Sequence, residues 1–308
     1  MNIVVVGAGA VGGYFGAKLA RAGAPVIFLV REARHRQIKD RGLRVKSVHG
    51  DFTLNPRLVT HTEEIASVDV VLVAVKNYHL SEAMPALERL VAKGGKILPL
   101  LNGVQHIGIL VDALGRDNVL AGACYVEATL NQDGDVVQTS PMQDIVFGPM
   151  GRCDAAFLEN LESWLHRADI RVRTSPRIMT DMWTKYLFLV TLSGITAAAR
   201  LPVGSVMSDP VTEAFLRQMI TEAFSVAKAY EPDLDDNIPS AIFTRLASVS
   251  PRMTSSMHRD LEKGLPLELE SLQGALIAMG RERGVAVPHF EAVYALLHPW
   301  RDGCPTGR

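Results

Sequence analysis

Apolar residues in the first half of the chain form short continuous runs, separated by longer stretches with helical spacing. Continuous runs rich in valine, isoleucine and leucine are typical of strands buried on both faces. Their alternation with helical stretches predicts βαβ units and hence a parallel sheet. The pattern predicts strands at Asn2–Val6, Pro25–Val30, Val68–Val75 and Lys96–Leu101, and helices at Val11–Arg21, Leu80–Ala92 and Val104–Leu114.

The pattern changes twice further along the chain. Hairpin-like strands are predicted over Leu120–Phe147, around the turn signal Asn131–Gly134, before a helix and a closing strand. After Ser175 the strand pattern gives way to apolar helical runs broken by proline and glycine. We therefore predict an α/β domain over residues 1–175 and an all-α domain over residues 176–308, the last ten residues forming a frayed tail. The helical runs lie at Ile178–Ala199, Asp209–Ala229, Pro239–Val249, Met253–Lys263, Leu267–Arg283 and Phe290–Leu297.

Charge and cysteine content narrow the classes of partner and compartment. The 308 residues include 32 Lys+Arg and 33 Asp+Glu, and this balance gives no long-range steering towards nucleic acid or anionic membrane. The 3 cysteines are widely spaced and form no CxxC pair, which argues against a disulfide framework and a structural zinc site. The apolar start has no cationic leader region, and no run reaches the length of a membrane span. We expect a soluble cytoplasmic protein without a metal.

A glycine-rich segment follows the first predicted strand directly and opens the first predicted helix. Its sequence, GAGAVG, fits the GxGxxG pattern in the strand–turn–helix context that binds a dinucleotide. The free N–H groups at the start of such a helix attract the pyrophosphate. The alternative is a glycine-rich turn that binds no ligand. The predicted cofactor-binding residues of this loop are Gly7, Ala8, Gly9, Ala10, Val11 and Gly12.

The end of the second predicted strand determines which dinucleotide is expected. NAD enzymes usually carry an acidic residue at this point for the ribose hydroxyls. This chain has Arg31, with Arg34 and Arg36 close by, and a guanidinium suits a 2′-phosphate through paired hydrogen bonds. We therefore predict NADP(H), although the adjacent Glu32 argues the other way and Arg31 could be an ordinary surface residue.

Two further strands end in polar residues. The VLVAV strand runs into Lys76 and the KILPLL strand into Asn102. Ligands of open α/β sheets bind at the carboxyl ends of the strands, so both side chains are candidates for the cofactor–substrate site. Ordinary loop polarity is the alternative for each.

Taken together, these motifs resemble the ketopantoate reductase (2-dehydropantoate 2-reductase) family over nearly the whole chain. In the first half the resemblance lies in GAGAVG, Arg31, VAVK and LNG. In the second half it lies in MWTK, SSM followed by Asp260, LELE and GVAVP. The resemblance implies a Rossmann-like doubly wound domain, a helical C-terminal domain, a substrate cleft between the two, and NADPH-dependent reduction of a 2-oxo acid.

The resemblance also assigns roles to matching residues. Lys185 would be the general acid that protonates the carbonyl oxygen, and Glu268 would bind the substrate hydroxyl or orient Lys185. Asn102 would position the nicotinamide ribose and the substrate, Ser256 would bind the carboxylate, and Lys76 would line the crevice. A positioned ammonium group both stabilises the alkoxide that hydride addition creates and supplies its proton.

Each assigned role in the second half has a structural alternative. Lys185 lies in an apolar helical run and could extend its ammonium group to solvent. Glu268 could be a solvated helical residue, with Glu270 two positions on as its rival. The role of Ser256 could be limited to capping the helix that starts near Met257.

The chain departs from the family pattern at three positions where typical members carry asparagine. Leu189 and Ser193 stand one and two turns after the lysine, and Val203 stands in the following loop. The loss of these carboxamides predicts either a more apolar 2-oxo acid or compensation by Thr191, Ser193 or Ser205. Ser193 is therefore also a candidate substrate-binding residue.

Three functions remain open from the sequence. The first is reduction of ketopantoate in pantothenate biosynthesis. The second is reduction of a different, more apolar 2-oxo acid by the same chemistry. The third is a non-catalytic NADP(H)-binding sensor, against which the presence of both Lys185 and Glu268 argues. The apolar helical half is also compatible with a homodimer.

Overall fold

The structure is a computed structural model that describes residues Met1–Pro305. Contacts within the chain divide it into two compact units. The first unit comprises Met1–Leu101 and His106–Asp181; the second comprises Asn102–Gln105 and the chain from Met182 onward. The short segment Asn102–Gln105 thus belongs with residues from Met182 onward, and it brings a strand-end residue of the first half into the second unit.

A five-stranded parallel sheet forms the centre of the first unit. Its order is β5-β2-β1-β6-β7, so the chain starts in the middle, moves to one edge and then returns past the first strand. Such a reversal beside the first strand is the switch point at which doubly wound sheets bind ligands. The predicted parallel sheet is confirmed. Its strands are β1 (Ile3–Val6), β2 (Val26–Leu29), β5 (Arg57–Val59), β6 (Val70–Val73) and β7 (Lys96–Pro99).

Both faces of this sheet are buried, which explains the continuous apolar runs. Side chains of successive strand residues point to opposite faces. Ile3 and Val5 therefore pack in one core cluster, with Phe15 of the following helix, whereas Val4 and Val6 pack in another. All four strand residues are buried.

A second five-stranded sheet completes the first unit. Its long strands β8 and β9 form an antiparallel hairpin, and β9 also pairs with β10 and β3. The predicted hairpin is confirmed: Gly134 occupies the turn with a φ of 80°, a left-handed conformation that favours glycine. The strands are β3 (Leu43–Ser47), β4 (Phe52–Leu54), β8 (Leu120–Leu130), β9 (Val136–Pro149) and β10 (Arg171–Thr174).

Five α-helices belong to the first unit, four of them wholly and α4 (Gln105–Leu114) except for its first residue. Four of them match predicted helical stretches. The exception is α2, which sequence analysis missed because its residues, EARHRQIKDR, bury only Ile38 and so show no apolar periodicity. The helices are α1 (Ala10–Arg21), α2 (Glu32–Arg41), α3 (Leu80–Ala92), α4 (Gln105–Leu114, which begins at the end of the segment assigned to the second unit) and α5 (Ala155–Arg167).

The second unit is helical, as predicted. Its long helix begins at Ile178, in the last residues of the first unit, and ends at Ala199, the bounds that the sequence predicts. The run Leu267–Arg283 is not one regular helix, however, because a π-helical turn over Glu270–Gly274 precedes the α-helix. The helices are α6 (Ile178–Ala199), α7 (Val203–Ser208), α8 (Pro210–Tyr230), α9 (Ile238–Ser248), α10 (Ser256–Glu262), α11 (Ala275–Arg283) and α12 (Pro288–Leu297).

The end of the chain is more ordered than predicted. Leu267 donates a backbone hydrogen bond to Arg301, and Cys304 donates one to Gly264, so the stretch after α12 packs on the loop before the π-helical turn. The prediction of a frayed tail is wrong for these residues, and residues 306–308 lie outside the described part. Among the described residues, no helix combines the length and the apolar character needed to cross a bilayer.

Candidate active site

The glycine loop connects β1 to α1 and has the shape that the motif predicts. Gly7 has a φ of 94°, which side chains other than glycine rarely adopt. A β-carbon on Gly12 would overlap the Gly7 carbonyl oxygen and lie 2.8 Å from the Ala74 side chain. Close packing of α1 on the loop and on the end of β6 therefore requires glycine at both positions.

Gly9 differs from Gly7 and Gly12, the other two glycines of the motif, because its α-carbon faces open space. A β-carbon built there meets no atom within 4 Å. Gly9 is also the N-cap of α1 and, having no side chain, cannot cap the first N–H groups, which are left for an anion. The residues of the loop, Gly7 to Gly12, thus fit a pyrophosphate at the helix N-terminus.

Arg34, on α2, holds the glycine loop by a hydrogen bond. Its Nε donates to the Ala8 carbonyl oxygen at 2.9 Å, and its Nη1 donates to the Gly134 carbonyl oxygen at 2.7 Å. One guanidinium therefore connects the glycine loop to the β8–β9 turn. Burial lowers the pKa of Arg34, which means that removal from water disfavours the charge that these carbonyl groups must compensate. The sequence indicates Arg34 only as a basic neighbour of Arg31.

Replacing Arg34 by alanine is expected to lower the free energy of unfolding by about 2 kcal/mol, because charged donors to buried acceptors contribute more than neutral ones. Urea unfolding measures the change. Arg36→Ala, an exposed change on the same helix, is the matched control and is expected to stay within about 0.5 kcal/mol of the parent. Equal losses in the two variants would contradict the role of Arg34.

The other predicted cofactor residues of the first unit lie at strand exits. Arg31 lies two positions after the end of β2, is the N-cap of α2, and forms an ion pair with Glu82 at 2.6 Å. Lys76 follows β6 and precedes a 3₁₀ turn, Asn77–His79, and its carbonyl accepts a hydrogen bond from His79. β1, β2 and β6 are adjacent in the sheet, so the loop, Arg31 and Lys76 follow three neighbouring strands.

In the second unit, Lys185 and Asn102 are brought together from distant parts of the sequence. Lys185 lies on α6, partly buried, and its Nζ is 3.5 Å from the Asn102 Oδ1, at the long limit of a hydrogen bond. The adjacent Gly103 has a φ of 88°, and a β-carbon there would lie 3.1 Å from the Ser271 carbonyl oxygen. The Asn102 segment is thus packed between the lysine helix and the start of the π-helical turn.

Glu268 is buried, with 5% of its surface exposed, just before that turn. Its carbonyl oxygen accepts hydrogen bonds from the Leu272 N–H and the Ser271 hydroxyl. The alternative of a solvated helical residue is therefore wrong for Glu268. It describes Glu270 instead, which is exposed and accepts a hydrogen bond from the Tyr294 hydroxyl at 2.7 Å. π-helical turns often occur at functional sites, and this one begins two residues after Glu268.

The two predicted serines have different surroundings. The N-cap of α10 is Ser255, whose hydroxyl accepts a hydrogen bond from the His258 N–H, so the proposal that Ser256 caps this helix is wrong. Ser256 is partly buried, and its role as a carboxylate ligand stays a prediction. Ser193 is fully buried, and its hydroxyl donates to the Val190 carbonyl oxygen at 3.3 Å.

Gln273 of the π-helical turn is a buried carboxamide that sequence analysis missed. Its Nε2 donates to the Val190 carbonyl oxygen at 3.0 Å and to the Ser193 hydroxyl at 2.9 Å. Its Oε1 and the Thr191 hydroxyl are buried, and neither has a hydrogen-bond partner among the described residues. Part of the polarity lost from α6 is therefore present on a different element, where no spacing within α6 could indicate it.

The remaining departures from the family pattern are apolar in character. Leu189 is partly buried, and Val203, the first residue of α7, is 1% exposed. Val203 belongs to a helix and not to the predicted loop, and its N–H donates to the Met253 carbonyl oxygen. Of the predicted compensating residues, Thr191 is buried whereas Ser205 is exposed.

Comparisons with known proteins identify the family of the chain. Residues 3–152 match the model of the family described as ketopantoate reductase PanE/ApbA, and residues 177–301 match that of its C-terminal domain. A crystal structure of a PanE/ApbA family ketopantoate reductase from Ralstonia eutropha JMP134 has a TM-score of 0.88 at 29% identity and covers 98% of both chains. The predicted fold class, a Rossmann-like sheet domain with an all-α C-terminal domain, is confirmed.

Curated relatives match over almost their full lengths. The uncharacterized oxidoreductase YkpB of Bacillus subtilis is 33% identical over 96% of this chain and 98% of its own. The 2-dehydropantoate 2-reductase of Caulobacter vibrioides is 26% identical over the same shares. The chain therefore belongs to the ketopantoate reductase PanE/ApbA family, a family of oxidoreductases.

Proposed function

We propose that the protein is an NADPH-dependent reductase of a 2-oxo acid, with 2-dehydropantoate as the leading substrate and pantothenate biosynthesis as the implied pathway. The observation that carries the proposal is the pairing of the Lys185 Nζ with the Asn102 Oδ1 in the second unit of a family member. A protein that only bound the dinucleotide would need neither this lysine nor the buried Glu268.

The residues of the first unit would hold the dinucleotide. The free N–H groups at the start of α1 would bind its pyrophosphate, Gly9 would leave room for it, and Arg31 would bind the 2′-phosphate of NADP(H). When bound, the reduced nicotinamide supplies a hydride. Lys76 would line the crevice beside it.

The residues of the second unit would perform the acid–base chemistry. The ammonium group of Lys185 would stabilise the developing alkoxide and then transfer its proton to that oxygen. Asn102, whose Oδ1 is 3.5 Å from the Lys185 Nζ, would position the ammonium group relative to the substrate. Glu268 would accept a hydrogen bond from the substrate hydroxyl or orient Lys185, and Ser256 would bind the carboxylate.

A second candidate is reduction of a more apolar 2-oxo acid. Leu189 and Val203 replace asparagines of typical family members, and a site that lacks such donors loses its discrimination for a substrate hydroxyl. In this case Ser193 would be the remaining polar substrate ligand on α6. The same catalytic residues would serve both substrates.

A panel of 2-oxo acids tests these candidates, with each acid assayed against NADPH and NADH by the loss of nicotinamide absorbance. Turnover of 2-dehydropantoate supports the first candidate. Faster turnover of branched-chain or aromatic 2-oxo acids supports the second. Dinucleotide binding without any turnover would refute the reductase and leave the sensor.

We also propose a cytoplasmic homodimer. Sedimentation at equilibrium would measure the mass of the assembly.

Replacing Arg31 by alanine is expected to weaken NADPH binding by about tenfold to a hundredfold and to leave NADH binding within about twofold. The physical reason is that only NADPH carries a phosphate that a guanidinium can bind with two hydrogen bonds. Calorimetric titration of both dinucleotides measures the effect. Arg36→Ala, an exposed neighbour on α2, controls for the loss of positive charge. Equal losses for NADPH and NADH would contradict the assignment.

A further inference from the structure

The guanidinium proposed to bind the 2′-phosphate is already engaged by a carboxylate. Arg31 Nη2 lies 2.6 Å from Glu82 Oε2, a distance typical of a charge-assisted hydrogen bond. Glu82 is in the first turn of α3, the helix that follows β6, whereas Arg31 follows β2. The two residues are 51 positions apart in the sequence. They can meet because β2 and β6, the strands that precede them, flank β1 on either side in the sheet.

From this geometry we infer that Glu82 is a cofactor-specificity residue, which neutralises Arg31 and lowers the preference for a 2′-phosphorylated dinucleotide. The inference rests on the proposed NADP(H) site and adds to it a residue that opposes the phosphate. A carboxylate and a phosphate monoester bind the same fork of guanidinium donors, so the two anions compete for Arg31.

The exposure of the pair makes this competition reversible. The side chains of Arg31 and Glu82 are 65% and 62% exposed, and ion pairs in water are individually weak. A ligand phosphate can therefore displace the carboxylate. The ion pair therefore weakens the binding of a phosphate to Arg31 but does not prevent it.

Displacement does not remove the negative charge from the site. Glu82 is on a helix whose Leu80, Leu87 and Leu90 are buried, so its backbone is held in place. Its carboxylate also has a second basic neighbour, since His79 Nδ1 lies 3.6 Å from Glu82 Oε1. A phosphate on Arg31 would thus lie near a carboxylate whose backbone is held in place, and like charges at short separations repel.

The test measures binding of two adenine nucleotides that differ only in the phosphate of interest. Adenosine 2′,5′-bisphosphate and AMP are titrated calorimetrically into the full-length protein, Glu82→Gln, Arg31→Ala and the double variant. Glu88→Gln, an exposed change on the same helix, is the matched control for net charge. Glutamine keeps the size of the side chain and removes its charge.

Glu82→Gln is expected to strengthen binding of the bisphosphate by about three- to tenfold and to leave AMP within about twofold. The gain is expected to disappear in the double variant, since it acts through Arg31. An unchanged bisphosphate-to-AMP ratio, an equal gain in Glu88→Gln, or a gain that survives the loss of Arg31 would each overturn the inference. Because no turnover is involved, failure of the reductase assay and failure of this inference are separate results.

Discussion

Replacing Lys185 by alanine is expected to lower kcat for 2-oxo acid reduction by about a hundredfold to ten-thousandfold, the range for loss of a positioned general acid. The alanine variant has no group to donate the proton to the alkoxide and no ammonium to stabilise it. Steady-state rates at saturating dinucleotide measure the loss. Dinucleotide affinity is expected to change less than twofold, because Lys185 is assigned to the substrate.

Two variants control this experiment. Lys263→Ala removes an exposed lysine from the same unit and is expected to keep near-normal turnover. Asn102→Ala removes the oxygen 3.5 Å from the Lys185 Nζ and is expected to lower kcat by a smaller factor, about tenfold, since the acid remains but is held less well. Near-normal turnover in Lys185→Ala would exclude this lysine from the mechanism and leave the protein as a dinucleotide binder.

Gly12→Ala is expected to abolish measurable dinucleotide binding and to lower the free energy of unfolding by about 1–3 kcal/mol. The added methyl group would overlap the Gly7 carbonyl oxygen and press on Ala74, so α1 must move away from the loop that it completes. Titration with NADPH and urea unfolding measure the two effects.

Other glycines separate the effect on binding from the effect on folding. Gly9→Ala adds a methyl group that meets no protein atom, so we expect normal stability together with weaker dinucleotide binding. Gly108→Ala, on an exposed turn of α4, is expected to bind normally and to be slightly stabilised, because alanine favours the helix. If Gly12→Ala bound NADPH as well as Gly108→Ala, the loop would not be the dinucleotide site.

The fold was predictable wherever the hydrophobic pattern is regular. Asn2–Val6 is a continuous apolar run, and β1 over Ile3–Val6 is buried on both faces as that run requires. α2 was missed because a surface helix with one buried residue has almost no periodicity. The π-helical turn at Glu270–Gly274 was missed because one extra residue in a helix leaves the composition of the run unchanged.

The candidate site was predictable as a set of residues but not as an arrangement. The glycine motif and Arg31 could be identified because they have fixed positions relative to the first two strands. The partners of Arg31 and Arg34 could not: Glu82 is on a different helix, and Gly134 is in a hairpin turn of the second sheet. Gln273 carries no motif of its own, and only its contact with Ser193 makes it notable.

The sequence by itself determined the parallel sheet, the helical second half, the glycine loop and the residue types available for chemistry. These properties follow from local spacing, because strand and helix periods and the conformational freedom of glycine act within a few residues. Only the tertiary structure decided that Asn102 lies beside Lys185, that Glu268 is buried while Glu270 is exposed, and that a carboxylate engages Arg31. Such pairings depend on which elements pack together, and that choice is made by the burial of the whole chain and not by any segment of it.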